Sequence, residues 1–390
     1  MENFVYHNPT KVLFGKDAED AVGREIVPYA ERVLLHYGQG SAEKSGLLGR
    51  IRRSLDEAGV AYYELGGVMP NPRLSLVHEG IDICKKNGIG LVLAVGGGSV
   101  IDSAKAIAAG APNSDNVWDY FSKQSKPKAV LPVAVVLTIP GSGSESSQAA
   151  VLTNEETQEK LDFGNDRLRP VFSVLNPQLT VTVSPYYTAM GIADAMAHVM
   201  EAYFTDTPHV DVTDRMCEGV LKSLIKCGYM VREQPDNYEV RAEIMWASKV
   251  AIDGTLDAGR VGDWGSHYIE HEVSAAYDVA HAAGLTAVLP AWMRYVYQHN
   301  RDRFIKFAMR VFNIEYDPDD PDMTVLKGIQ SLKDFFRLMG LPVSLRELDI
   351  TDKKELDKIA ENAERHGGGS IGHFVELKKD DIRAILELAF

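Results

Sequence analysis

Apolar residues in the first half of the chain fall into short unbroken runs. Residues 90–95 and 133–138 are such runs, residues 32–37 form a short, mostly apolar run, and residues 60–65 form a further extended candidate. A continuous apolar run of this length predicts a strand buried on both faces, the kind that parallel sheets contain. Between the runs, residues 44–58, 74–86 and 100–109 space their apolar positions at helical intervals. Strand and helix alternating in this way predict a mostly parallel sheet with crossover helices.

The texture changes after Pro177. Ser184-Pro185 reads as a helix start, with serine as the cap and proline in the first helical position. From there almost every segment is helical in its spacing, as in residues 189–204, 214–226, 240–252, 284–299 and 325–338. The expected organisation is an α/β domain over residues 1–182 and an all-helical domain over residues 183–390. No repeat, low-complexity tract or Pro/Ser-rich linker separates them. The two are therefore expected to abut, and a cleft between domains is a usual place for a site.

A length of 390 residues agrees with two domains. The 41 basic and 55 acidic side chains leave a formal charge of -14, which argues against nucleic acid or an anionic membrane as partner. Cys84, Cys217 and Cys227 are far apart and form no CxxC, which suits a reducing compartment. The opening Met1-Glu2-Asn3-Phe4 has neither the basic nor the apolar region of a signal peptide. The longest apolar stretches fall short of the ~20 residues a membrane helix needs. A cytoplasmic protein is expected.

Candidate chemistry in the α/β half lies at strand ends. Gly96-Gly97-Gly98-Ser99 follows one strand and opens a helix whose first turns carry Asp102 and Lys105. Glycines there let backbone approach a pyrophosphate, and a helix N-terminus offers free N–H groups. The run is not the GxGxxG fingerprint. Gly141-Ser142-Gly143-Ser144-Glu145 follows another strand, which ends at Thr138. Either loop alone is explained as a turn, but two at adjacent strand ends point to a dinucleotide. The strand ending at Tyr37 runs into Gly38-Gln39-Gly40-Ser41, where such sites often place an acidic residue on the adenosine ribose. No carboxylate stands there to repel a 2′-phosphate, and Gly38 and Ser41 supply donors, so NADP is favoured over NAD.

In the helical half, Asp194 and His198 stand four apart on one helix face, as do His267 and His271. His281 follows shortly after. Imidazoles with a carboxylate suit Zn²⁺ or Fe²⁺ with a position open for substrate. Two rivals remain open from spacing alone. His267-Tyr268-Ile269-Glu270-His271 fits the H-x-x-E-H zinc motif of a metallopeptidase group, with Glu270 activating water. A non-catalytic dinucleotide-binding sensor is the other.

The chain as a whole resembles the iron-containing alcohol dehydrogenase family, and within it the butanol dehydrogenase and broad-range aldehyde reductase group. The resemblance rests on Phe4-Val5-Tyr6-His7-Asn8-Pro9-Thr10-Lys11-Val12-Leu13-Phe14-Gly15, on residues 96–105 and 137–145, on Gly191-Ile192-Ala193-Asp194-Ala195-Met196-Ala197-His198, and on residues 267–284. It implies an α/β dinucleotide-binding domain followed by a helical metal-binding domain. It implies a divalent metal held by Asp194, His198, His267 and His281, with His271 beside it. It implies dinucleotide contacts from Gly38, Ser41, Asn71, Gly97, Gly98, Ser99, Asp102, Thr138, Ser142, Ser144 and Lys160. Many relatives carry Asp near position 38, so strict NAD use is not implied here. Hydride would pass between NAD(P)(H) and a small primary alcohol or aldehyde, in a homodimer. His271, one helical turn from His267, is the candidate proton relay, with ligand packing as its other role.

Overall fold

The apolar runs of the first half become the inner strands of one parallel sheet in a computed structural model covering residues 1–390. In the unit His7–Val183 the chain forms β1 (Lys11–Phe14), α1 (Val22–Ile26), β2 (Arg32–Gly38), α2 (Ser41–Lys44) and α3 (Leu47–Glu57). It continues through β3 (Ala61–Val68), α4 (Leu74–Asn87), β4 (Leu91–Gly97), α5 (Gly98–Gly110) and α6 (Trp118–Phe121). It ends with β5 (Val133–Ile139), β6 (Ala149–Asn154), β7 (Glu159–Gly164) and β8 (Phe172–Leu175). The sheet order is β1-β8-β5-β4-β2-β3, with every pairing parallel.

β4 explains why the sheet forms. Leu91, Val92, Leu93, Ala94 and Val95 are all fully buried, and each large one contributes about 1.5–3 kcal/mol of burial. From β2 the chain steps to β3 at one edge; from β4 it steps to β5 on the other side. The crevice between β2 and β4 is thus a topological switch point, where open α/β sheets bind ligands. Register brings the strand ends to one level: Tyr37 pairs with Val95, Gly38 with Val68, and Gly97 with Ile139.

Three features differ from the sequence expectation. The helix expected over 44–58 starts only at Leu47, after Gly46, whose φ of 77° no β-carbon favours, and the separate short α2 ends at Lys44. β1 and β8 were not marked, being only four residues each. β6 and β7 form an antiparallel hairpin outside the main sheet.

The second unit is Ser184–Phe390 together with Met1–Tyr6. Its helices are α7 (Pro185–Tyr203), α8 (Asp211–Glu233), α9 (Tyr238–Val250), α10 (Gly265–Tyr277), α11 (His281–Val296), α12 (Arg301–Phe312), α13 (Pro321–Leu338), α14 (Leu356–His366) and α15 (Lys379–Ala389). The six N-terminal residues, read above as part of the α/β domain, instead bond here. Glu2 N donates to Gly259 O at 2.9 Å, and Tyr6 Oη lies 3.1 Å from Thr255 Oγ1.

α7 starts where Ser184 Oγ accepts from Tyr187 N, with Pro185 as the first helical residue. Every residue from Thr188 to Tyr203 is buried, so α7 is a central helix, mostly apolar, with Asp194, His198 and Glu201 as its buried charged or titratable residues. Its far end is fixed by two buried guanidiniums. Arg260 donates to Ala202 O at 3.0 Å and Arg303 to Tyr203 O at 2.8 Å, and both bind the Asp214 carboxylate. No helix of the protein is long and apolar enough to cross a membrane.

Candidate functional site

In the helical unit, α7, α10 and α11 bring the predicted ligands together. One ligand atom each from Asp194, His267 and His281 lies within 4.8 Å of the other two. His198 joins them: its Nε2 is 3.7 Å from Asp194 Oδ1 and its ring stacks on His267 at 5.0 Å. His281 Nε2 lies 3.8 Å from the same Asp194 oxygen. Asp194 Oδ1, His198 Nδ1 and His267 Nε2 are buried atoms with no hydrogen-bond partner. Such orphans are costly unless something satisfies them. Burial pushes His198 down to about 4 despite the nearby Asp194 charge, so its ring stays neutral, the form that ligates metal. A carboxylate with three imidazoles at these separations fits a divalent cation such as Fe²⁺ or Zn²⁺.

Two carboxylates behind the cluster aim its rings. Glu201, three residues beyond His198 on α7, receives four donors. Its Oε1 accepts from His267 Nδ1 at 2.8 Å, His267 N at 3.2 Å and Ser266 Oγ at 2.5 Å, and its Oε2 accepts from Trp264 N at 2.8 Å. This fixes the His267 tautomer and turns Nε2 toward the cluster. It also holds Trp264 at φ 66°, a left-handed conformation unusual for a bulky residue. The indole thereby packs edge-on against His267 at 5.1 Å. Asp263, the next buried carboxylate, accepts from the backbone N–H groups of Gly265, His373 and Phe374. Burial and the Glu201 charge push Asp263 up to about 7. On the other side Glu270 bonds His281 Nδ1 through Oε2 and Ser274 Oγ through Oε1. Gly284 is required there, because a β-carbon would come within 2.7 Å of Glu270 Oε1.

These contacts overturn the metallopeptidase reading. Both Glu270 oxygens are engaged with protein partners, so it orients His281 and is not poised to activate water. His271 is buried beside the cluster, with its ring 5.5 Å from that of His281.

In the α/β unit the predicted dinucleotide residues gather along the carboxyl edge of the sheet. Gly38 ends β2, Ser41 opens α2, Gly97 ends β4, Gly98, Ser99 and Asp102 lie in the first turns of α5, and Thr138 lies at the end of β5. α5 has no side-chain cap, leaving its first N–H groups for a ligand. The two Gly/Ser loops touch: a β-carbon on Gly98 would meet Ser142 Oγ at 2.4 Å. Asn71 follows β3, and the next residue's carbonyl accepts from Thr153 N at 2.8 Å. Thr153 in turn pairs with Lys160 across the hairpin, so Asn71 and Lys160 sit on neighbouring segments. Asp102 and Ser144 are engaged with each other, Ser144 Oγ donating to Asp102 Oδ1 at 2.6 Å.

Sequence reasoning missed Glu201 as an orienting residue and saw Glu270 only as a catalytic base. The available signal was the extension of the Asp194 and His198 face by one more acidic residue at helical spacing.

The family profile described as iron-containing alcohol dehydrogenase matches residues 9–177, and that for the family's C-terminal part matches residues 188–390. The chain is 41% identical to NADH-dependent butanol dehydrogenase A of Clostridium acetobutylicum, over 100% of each chain. It is 36% identical to an NADPH-dependent aldehyde reductase of Escherichia coli K12, again over 100% of each. The crystal structure of NADH-dependent butanol dehydrogenase A from Thermotoga maritima is similar at a TM-score of 0.95 and 40% identity, covering 100% of this chain and 99% of that one.

Proposed function

Because the chain belongs to the iron-containing alcohol dehydrogenase family, we propose that it moves a hydride between NAD(P)(H) and a small primary alcohol or aldehyde, such as butanol and butyraldehyde. The non-catalytic sensor reading falls with that membership, since the relatives are nicotinamide-dependent oxidoreductases. The observation that carries the proposal is the pair of buried, unpartnered atoms Asp194 Oδ1 and His267 Nε2, on residues whose ligand atoms gather with one from His281 within 4.8 Å. The metal ligands of the reading are Asp194, His198, His267 and His281. When bound, a divalent metal supplies Lewis acidity toward the substrate oxygen and the nicotinamide supplies or accepts the hydride. The protein's own part is geometry and proton handling. Glu201 and Glu270 orient the ligand rings, and His271 holds the exchanged proton on its imidazole. The residues on the sheet edge, from Gly38 to Lys160, bind the dinucleotide. Three unpaired cysteines support a cytoplasmic setting, and the active form of the reading is a homodimer. Butyraldehyde reduction with NADPH and NADH, by metal-stripped and metal-loaded protein, tests the reading; no turnover with either cofactor in loaded protein defeats it.

Glu201→Gln removes the charge that fixes His267. Metal affinity should drop by roughly 10–100-fold, measured by competition with a chelator. An unchanged affinity would mean that Glu201 serves the fold alone.

The preferred cofactor of this reading is NADP(H). Gly38 supports it, because no carboxylate opposes a 2′-phosphate. A β-carbon at Gly38 would lie 3.7 Å from Val68 O and 3.9 Å from Val100 Cγ2, ordinary contact distances. A β-carbon is therefore tolerated at position 38, and Gly38→Asp tests the effect of a carboxylate there. It should weaken NADPH binding more than NADH binding, by roughly one to three decades. A parent enzyme that already uses NADH far better than NADPH defeats the preference.

A further inference from the structure

We propose that Lys105 is a positioning residue for the dinucleotide, its buried side chain tying the loop after β5 to α5 and so shaping the phosphate-facing edge of the sheet. This rests on the reading of that edge as the dinucleotide site. A lysine in the middle of a helix ordinarily reaches solvent. Lys105 is 0% exposed. Its ammonium donates to Ser144 Oγ at 2.8 Å, Ser147 O at 2.9 Å, Ser147 Oγ at 3.2 Å and Ala149 O at 2.8 Å. Every one of these acceptors belongs to the segment running from the Gly/Ser loop into β6.

The knot extends to the ligand-facing surface through hydrogen bonds. Ser144 Oγ, accepting from Lys105, donates to Asp102 Oδ1 at 2.6 Å, and Asp102 Oδ2 accepts from Val151 N at 3.1 Å. Ser144 N donates to Ser142 Oγ at 3.3 Å, and that hydroxyl lies against Gly98 at the start of α5. Lys105 thus holds both loops as one piece. Its partners are bonded to protein, so it acts through them and not by touching the ligand.

The charges facing Lys105 are Asp102 on α5, Glu145 from the loop and Arg169 from the segment before β8. Burial outweighs the two carboxylates and pulls the ammonium down to about 8. Above that pH a neutral amine has two N–H groups for four acceptors, and one positive charge fewer faces Asp102 and Glu145 beside the proposed phosphate site. The loop should loosen and repel the ligand as pH rises.

The test is NADPH affinity, followed by nicotinamide fluorescence, for the metal-loaded parent and Lys105→Met between pH 7 and 9.5. The parent should bind progressively more weakly through the region of pH 8. The variant should bind roughly ten- to a hundredfold more weakly at pH 7, with no further pH dependence and with parental metal content. A folded Lys105→Met protein with parental affinity overturns the proposal, whatever its melting temperature. If the variant does not fold, the parent decides, because a pH-flat affinity overturns it equally. A parent that binds neither NADPH nor NADH overturns the dinucleotide reading itself, and this role for Lys105 with it.

Discussion

Replacing His267 by alanine should remove bound metal and turnover together. His267 Nε2 is one of the buried orphan atoms of the cluster, and its other nitrogen is held by Glu201 at 2.8 Å. Alanine deletes one of the four proposed ligands. A Lewis acid contributes several kcal/mol of transition-state stabilisation, so its loss should lower turnover by roughly three decades or more. The fold should survive. Glu201 keeps three of its donors, from Ser266 Oγ, His267 N and Trp264 N. NADPH binding serves as the control, because the residues proposed for it lie in the other unit. A His267→Ala protein with stoichiometric metal and normal turnover would remove His267 from the ligand set. Loss of metal, turnover and NADPH binding together would signal global unfolding, and His281→Ala would then carry the test.

The parallel sheet was legible because its inner strands are buried on both faces, so Leu91 to Val95 had to be a continuous apolar run. β1 escaped notice because it is an edge strand only partly buried, and β8 because four residues make too short a run. The hairpin mixes polar residues such as Thr153, Lys160 and Asp162 into both strands, which blurs its pattern. α10 lacks a side-chain cap and begins from left-handed Trp264, so its start leaves no local sequence signature. α11 carries Pro290 inside it, a residue that reads as a break.

The candidate ligands were legible for a different reason. Asp194 with His198, and His267 with His271, share helix faces at a spacing any sequence displays. What orients them was hidden, since Glu201 meets His267, 66 positions further along, only once the chain folds back. Lys105 was seen as a residue near a phosphate loop, yet nothing local distinguishes a fully buried lysine from an exposed one. Its burial follows from the loop after β5 closing over α5.

Replacing His271 by glutamine should separate chemistry from metal binding. His271 sits one turn beyond His267 on α10, buried, with its ring 5.5 Å from that of His281. The proposed ligands are complete without it, so metal content should stay near that of the parent. Glutamine keeps some of the size and the hydrogen bonding but cannot exchange a proton near neutrality, where imidazole is suited to do so. If His271 carries the proton to or from the substrate oxygen, turnover should fall by ~10²–10⁴-fold. The pH dependence of turnover near neutrality should flatten at the same time. A modest loss with an unchanged pH profile would make His271 an orienting neighbour of His281. Loss of metal alongside activity would instead make it part of the metal's own coordination, together with Glu270 and His281, the second group whose ligand atoms lie within 4.8 Å of one another.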